Sequence, residues 1–275
     1  MIFLVHNQAK ALAFCKKEGK ELSLKAKTIC EAFWELATLF PEELIIWIEE
    51  GQQSNFNKDS VSKIFHHDLI MASFAVATRF LDDRIGYVDE LPFVNVKRNV
   101  QYPTWLMSAD LGGIKGKVLL KFGSHFQLIT NFGYLLNAIA KIGQQNGLFC
   151  YSSPFLVHNF SEEIKYTASN SQLFQFVAQF YKKPRLAVLG WCFKKYEKES
   201  YLYPLIIGSL KKSFFQQELD LSDIEIKSSK TQDLENTIDV VIPTIGRPEH
   251  LLNVLEDLKQ QTLLPKNVII VEQKV

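Results

Sequence analysis

The chain has only four cysteines, Cys15, Cys30, Cys150 and Cys192, scattered over 275 residues with no Cys-x-x-Cys pair. Zinc needs four ligands converging from short spacings, so no structural zinc site is expected, and the thiols read as reduced cysteines of a cytosolic protein. An excess of charge is lacking as well. The 31 Lys and Arg stand against 30 Asp and Glu, a formal charge of +1. No global field would hold the chain on nucleic acid, and no nucleic-acid partner is expected. Uncharged apolar runs fall short of the roughly 18 residues that span a bilayer. Met1-Ile-Phe-Leu-Val-His6 lacks the basic region and the length of a signal peptide, which makes the expected location cytoplasmic. Neither G-x-G-x-x-G nor G-x-S-x-G occurs. Gly113-Ile-Lys-Gly116-Lys117 has the look of a phosphate loop, but Leu111 stands where a glycine is required and Val118 where a hydroxyl would reach Mg²⁺.

What the chain does have is apolar material. Hydrophobic residues make up 47% and charged residues 22%, with 21 phenylalanines, which excludes a disordered or fibrous chain and suits a large core or an aromatic-lined surface. The length fits about two domains at roughly 150 residues each. Ile2 to Val5 reads as an edge or first strand. From Leu22, the residues Ala26, Ile29, Cys30, Phe33, Ala37 and Phe40 share one helical face, which Pro41 ends. The run Leu44-Ile-Ile-Trp-Ile48 then reads as a buried strand closed by Glu49-Glu50-Gly51, giving an α/β signature. Residues 51–63 read as a loop and 69–80 as a strand or a buried helix. Phe132, Leu135, Leu136, Ile139 and Ile142 mark an amphipathic helix ended by Asn146-Gly147, with a strand at 148–151. These signals predict an N-terminal α/β accessory domain over 1–159. Residues 160–235 read as a helical connector and polar linker, with helices at 171–181 and 186–196 separated by Lys183-Pro184.

Beyond the linker, Ile238-Asp-Val-Val-Ile242 is a β-rich run followed by Pro243-Thr244-Ile245-Gly246-Arg247 and a helix whose first turn holds Pro248 and Glu249. Leu251, Val254, Leu255 and Leu258 supply its apolar face. Gln260-Gln261-Thr262 and Pro265 end it, and Val268-Ile-Ile-Val271 with Glu272 forms a second strand. This is a β-α-β unit with two parallel neighbours expected.

The pattern Val-Val-Ile-Pro-Thr-Ile-Gly-Arg-Pro-Glu-His-Leu, then Gln-Gln-Thr, then Pro and an apolar strand with an acidic end, resembles the start of family 2 glycosyltransferases of GT-A (Rossmann-like) fold. The resemblance covers residues 236–275. It implies transfer of a sugar from a nucleotide-sugar donor to a hydroxyl of a glycan or lipid-linked acceptor, with inversion, as in glycan biosynthesis. It also implies that Pro243, Thr244 and Arg247 line the nucleoside pocket, and that Glu272 takes the place of the first acid of a strand-ending pair. The chain departs from the family in having Glu272-Gln273 where Asp-Asp-Gly-Ser is common. The family's Asp-x-Asp, which holds Mn²⁺ or Mg²⁺, and its general base belong further downstream. Residues 236–275 are therefore expected to be a truncated domain, and this stretch alone catalytically silent.

A weaker echo links residues 29–48 to 253–271, each a helix, a Thr-Leu-x-Pro turn and an apolar strand with an acidic end. On that echo the N-terminal domain reads as a degenerate GT-A-like domain. Asp82 and Asp83 then become candidate ligands for a divalent cation, which prefers carboxylate oxygens; the competing reading makes them solvated turn residues. The run from Met107 to Ile114 would stand where such folds keep their acceptor half. His66-His67-Asp68 is not expected to bind a metal, because adjacent side chains diverge. Aromatic and basic residues around Pro184, including Trp191, Lys194, Lys195 and Tyr196, suit peripheral contact at the inner face of a membrane, which would bring an enzyme to lipid-linked acceptors. Glu197 and Glu199 dilute that charge, and a packing helix is the reading preferred from sequence. The alternative to an enzyme is a non-catalytic glycan- or partner-binding module with a vestigial nucleotide-binding tail.

Overall fold

The computed structural model describes residues 1–7, 11–17, 19–89, 97–229 and 237–273, the side chains of 11–13 excepted. It divides into two compact units, Met1–Ser229 and Lys230–Val275.

Unit 1 is mixed α/β. Its sheet comprises β1 (Ile2–Asn7), β2 (Ala11–Lys17), β3 (Lys20–Glu21), β4 (Leu44–Glu49), β5 (Ile70–Phe74), β7 (Tyr102–Pro103), β8 (Leu111–Lys115) and β9 (Phe149–Ser152), in the spatial order β3-β2-β1-β4-β8-β5-β9-β7. The pairs β1–β4 and β5–β9 are parallel, and β8 lies antiparallel between β4 and β5. The first strand is thus interior rather than an edge. A short parallel pair joins β6 (Thr78–Arg79) to β10 (Lys165–Tyr166). Residues 69–80 resolve into β5 and β6, while 51–63 hold two 3₁₀ turns and the short helix α2 (Val61–Ile64).

Capping sets the boundaries of the first long helix. The pattern from Leu22 suggests an early start, yet α1 spans Ile29–Leu39. Thr28 Oγ1 accepts from the Glu31 amide at 3.2 Å, and Glu31 Oε2 accepts from the Thr28 amide at 3.2 Å, a reciprocal box that fixes the first turn there. Upstream, the Leu22 amide is already committed to the Cys15 carbonyl at 2.9 Å. α1 and α5 (Phe132–Gln145) carry core aromatics to the sheet: Phe33, Trp47 and Phe132 are fully buried and meet edge to face at 5.4 to 6.2 Å. Each such ring contributes roughly 1.5–3 kcal/mol by burial alone. β8 reaches its slot only because position 112 is glycine. A Cβ there would lie 2.2 Å from Trp47 Cζ2 and 2.6 Å from the Ala72 carbonyl oxygen. α3 (Gly116–Leu120) and α4 (Gly123–Phe126) follow β8 directly.

The expected boundary near 159 is absent. α6 (Asn170–Phe180) buries Leu173, Phe174, Phe176, Val177 and Phe180 in the core that α5 occupies, with Trp105 and Phe176 stacked at 5.5 Å. α7 (Lys183–Cys192) continues into a π-type turn, Phe193–Glu197, and a further helix not anticipated from sequence, α8 (Leu202–Ser209), lies against α6. Phe214, Leu221 and Ile224 return to the same core, so residues 160–229 belong to the first unit and are no connector. The polar stretch reads as a linker because its apolar residues are few. Those few are the ones that anchor it.

All four cysteines are free and buried. Burial pushes the Cys15 and Cys30 thiols up to about 12, far from thiolate chemistry.

Unit 2 comprises β11 (Asp239–Thr244), α9 (Pro248–Lys259) and β12 (Asn267–Glu272), with the strands parallel from Asp239 opposite Asn267 to Thr244 opposite Glu272. α9 has no buried residue and β12 is exposed along its length.

Candidate functional site

Unit 2 holds a pocket of about 460 Å³ at the carboxyl end of β11. Pro243 and Thr244 close the strand, Gly246 turns the chain at φ +57°, and Arg247 stands at the N-cap of α9. The Arg247 side chain makes no capping bond, so the first amides of α9 have no side-chain partner there. Pro243, Thr244 and Arg247 all line the pocket, joined by His250 and by the apolar Ile242, Leu251 and Val254. Glu272 does not line it. Its neighbours Val271 and Gln273 do, and the Gln273 amide donates to the Thr244 carbonyl at 3.0 Å. Three of the four residues singled out in the sequence thus converge, and the fourth ends the partner strand beside them. The resulting cleft is lined by a guanidinium, a hydroxyl and an imidazole together with apolar side chains. That combination suits a small ligand with an anionic part and a flat apolar part.

Unit 1 carries a larger cleft, about 850 Å³, which sequence reasoning did not find. It opens where β1 and β4 end and β8 begins, the edge of a parallel pair at which open α/β sheets present ligand sites. Its organising residue is Asp110, which is buried. Asp110 Oδ2 accepts from the amides of Val76, Ala77 and Thr78 at 2.7 to 2.8 Å, and Oδ1 accepts from the Thr78 hydroxyl. Its carbonyl accepts from the Glu49 amide at 2.7 Å. One residue therefore ties the turn after β5 to the end of β4. His6, from β1, donates Nε2–H to the Ala109 carbonyl at 2.8 Å; burial lowers its pKa to about 4, opposed by that hydrogen bond and by Asp110. Glu49 Oε2 accepts from the Gly51 amide at 2.9 Å, and Asn131 Oδ1 caps α5 through the Tyr134 amide at 2.8 Å. Glu163, Lys165 and Tyr166 complete the rim. The signal in the sequence was the isolated acid in Ser108-Ala-Asp110-Leu-Gly-Gly113, between short apolar pieces.

The carboxylates proposed for a cation are spent elsewhere. Asp82 Oδ2 accepts from Arg84 Nε at 2.8 Å and Nη2 at 2.6 Å, and Asp83 Oδ2 accepts from the Tyr166 hydroxyl at 3.2 Å. Asp82 Oδ1 also caps the turn through the Arg84 amide at 3.0 Å. Among the described residues no group of three His, Cys, Asp or Glu side chains converges. In the Gly113–Lys117 run, Lys117 Nζ contacts Asp68 at 3.0 Å, and burial, which opposes ionisation of Asp68, is outweighed by Lys117, the Lys227 amide and Lys115.

Comparison with protein-family models, with curated proteins and with solved structures finds no match.

Proposed function

We propose that unit 2 is the opening β-α-β of a nucleotide-sugar-binding domain of family 2 glycosyltransferase type, and that the protein takes part in transferring a sugar to an acceptor hydroxyl. One observation carries the reading: Thr244, Arg247 and Gln273 surround one pocket at the carboxyl ends of a parallel pair. That is where open α/β sheets hold nucleotides. Arg247 supplies a permanent positive charge toward a phosphate-bearing ligand, and Ile242, Leu251 and Val254 supply the apolar wall a nucleobase needs. The exposed apolar side chains of β12 are consistent with a sheet that continues over that strand. No described residue is assigned as general base, and no step is routed through a metal.

The test is calorimetric titration of UDP and of GDP, each with and without Mn²⁺, into the full product of the reading frame. One nucleotide is expected to bind, and Arg247→Ala is expected to weaken it about tenfold, the value of a hydrogen bond to a charged group. No binding of either nucleotide overturns the reading.

One observation favours the second reading, a glycan-binding module: the larger cleft belongs to unit 1 and sets Tyr166 beside Glu163, Gln52 and Asn131. That reading predicts saccharide binding weakened by Tyr166→Ala, with no nucleotide dependence.

A further inference from the structure

The outer surface of α7 and α8 differs from the rest of unit 1. Exposed large apolar residues elsewhere in the unit are scattered singly, as at Leu128, Phe149 and Phe155. Between 188 and 210 they accumulate: Trp191, Tyr196, Leu202, Tyr203, Ile206 and Leu210 all face solvent, with Tyr203 at 67% and Leu210 at 77% exposure. The inward sides of the same elements are committed. Leu186, Leu189 and Phe193 are buried, Gly190 lets Leu205 approach, and Gly208 lies against the Phe174 carbonyl. The exposed set is therefore a second apolar side on helices whose first side already serves the core.

Charge is concentrated on the same segment. Residues 182–212 hold eight basic residues against two acidic ones, in a chain whose total is +1. The two acids, which dilute the charge on paper, are turned to other partners. Glu199 accepts from Arg84 Nη1 at 3.3 Å and Asn170 Nδ2 at 2.6 Å, and Glu197 accepts from the Tyr87 hydroxyl. Among the described residues no carboxylate forms an ion pair with Lys182, Lys183, Arg185, Lys194, Lys195, Lys198, Lys211 or Lys212. Lys195 Nζ instead sits over the rings of Trp191 and Tyr196, at 4.7 and 5.1 Å.

We propose that the α7–α8 surface docks on an anionic lipid bilayer, with Trp191, Tyr203, Ile206 and Leu210 entering the headgroup layer and Lys194, Lys195, Lys198, Lys211 and Lys212 facing lipid phosphates. Lipid is favoured over a protein partner by composition. Lysine is depleted at protein–protein interfaces, whereas Trp and Tyr with long lysine stems are the residues that sit at a membrane interface. No helix among the described residues is long and apolar enough to cross a membrane, so the contact is peripheral. The proposal stands apart from the sugar-transfer reading and does not depend on it.

The chain carries its own reporter. Of its four tryptophans, Trp34, Trp47 and Trp105 are buried and only Trp191 is exposed. Vesicles of phosphatidylcholine mixed with phosphatidylglycerol should shift Trp emission to the blue and protect it from acrylamide, and Trp191→Phe should abolish both changes. Flotation of the full chain should show binding to these vesicles, weak binding to phosphatidylcholine alone, and release by high salt. Lys194→Gln with Lys195→Gln should lower partitioning about 30-fold, at about fivefold per lysine. Tyr203→Ser with Leu210→Ser should lower it too, and unchanged circular dichroism will verify that both variants fold. Absence of binding to anionic vesicles overturns the proposal, as does equal binding to neutral ones or binding that neither double variant reduces. Self-association abolished by Leu210→Ser, without vesicle binding, assigns the surface to a second copy of the chain instead.

Discussion

Two parts of the molecule each hold a parallel strand pair whose second strand is preceded by a helix, and they differ in what surrounds them. In unit 1, β1 and β4 are parallel neighbours with β2, β3 and α1 between them in sequence; in unit 2, β11 and β12 are parallel neighbours with only α9 between them. Both crossing helices are followed by a Thr-Leu-x-Pro turn and an apolar strand with an acidic end. Yet β4 is buried through its first five residues and α1 buries seven, while α9 buries none and β12 is exposed throughout. The strand Leu44-Ile-Ile-Trp-Ile48 is flanked by β1 and β8 and covered by Phe33 and Phe132. The strand Val268-Ile-Ile-Val271 has β11 on one side only among the described residues. Local pattern thus decides that a strand forms. The neighbours decide how much stability it carries.

The sharpest way to break the comparison is to remove apolar bulk from the better-packed copy. Phe33→Ala leaves a cavity beneath Trp47 and Phe132 and should destabilise unit 1 by about 4 kcal/mol. Chemical denaturation would measure it, and a loss under 1 kcal/mol would mean that this core rearranges freely. Next in size is Asp110→Ala, which strands the amides of Val76, Ala77 and Thr78 and the Thr78 hydroxyl. A loss of about 3 kcal/mol is expected. Faster amide exchange at 76–78 should accompany it if Asp110 is what holds the cleft's edge together.

His6 gives the comparison a pH axis. Its pKa is about 6.5 unfolded and about 4 in the fold, where burial disfavours the imidazolium. The unfolded chain therefore binds more protons between these values, so stability rises with pH across that window. Unit 1 should lose about 3 kcal/mol from this residue as pH falls from 6.5 to 4, with no further loss from it below 4. Subtracting the stability curve of His6→Asn from that of the wild type isolates the contribution. A flat difference would show that His6 is hydrated in solution.

Legibility from sequence follows the same division. β4, α5 with its Asn146-Gly147 stop, and the whole of β11-α9-β12 stood out because apolar period and turn chemistry sit within a dozen residues. What stayed hidden depends on distant partners. Gly112 and Gly113 carry no local strand signal, although they lie inside β8, where a Cβ would meet Trp47 and Ile46. α6 read as part of a connector because nothing local announces that Phe174 and Phe176 meet Phe193 and Trp105. For the sites, Pro243, Thr244 and Arg247 were readable from one loop, whereas the larger cleft draws His6, Glu49, Asp110 and Tyr166 from far apart in the chain. Asp82 and Asp83 are adjacent in sequence, yet in the fold they take separate partners, Arg84 and Tyr166.

The smallest expected effect tests the other half of the comparison. Ile269 lies mid-strand in β12 and is 49% exposed, although its counterpart in the echoed strand, Ile46, is fully buried. Ile46→Asn would bury an amide without partners, whereas Ile269→Asn leaves its amide in water. The exposed change should alter stability by no more than about 0.5 kcal/mol. Thermal unfolding of the full chain, read alongside amide exchange at 239–244 and 267–272, distinguishes the outcomes. A loss of 2 kcal/mol or more, with exchange accelerating across β11 as well, would mean that β12 is covered in solution by another layer. The two parallel pairs would then differ in what covers them rather than in whether they are covered.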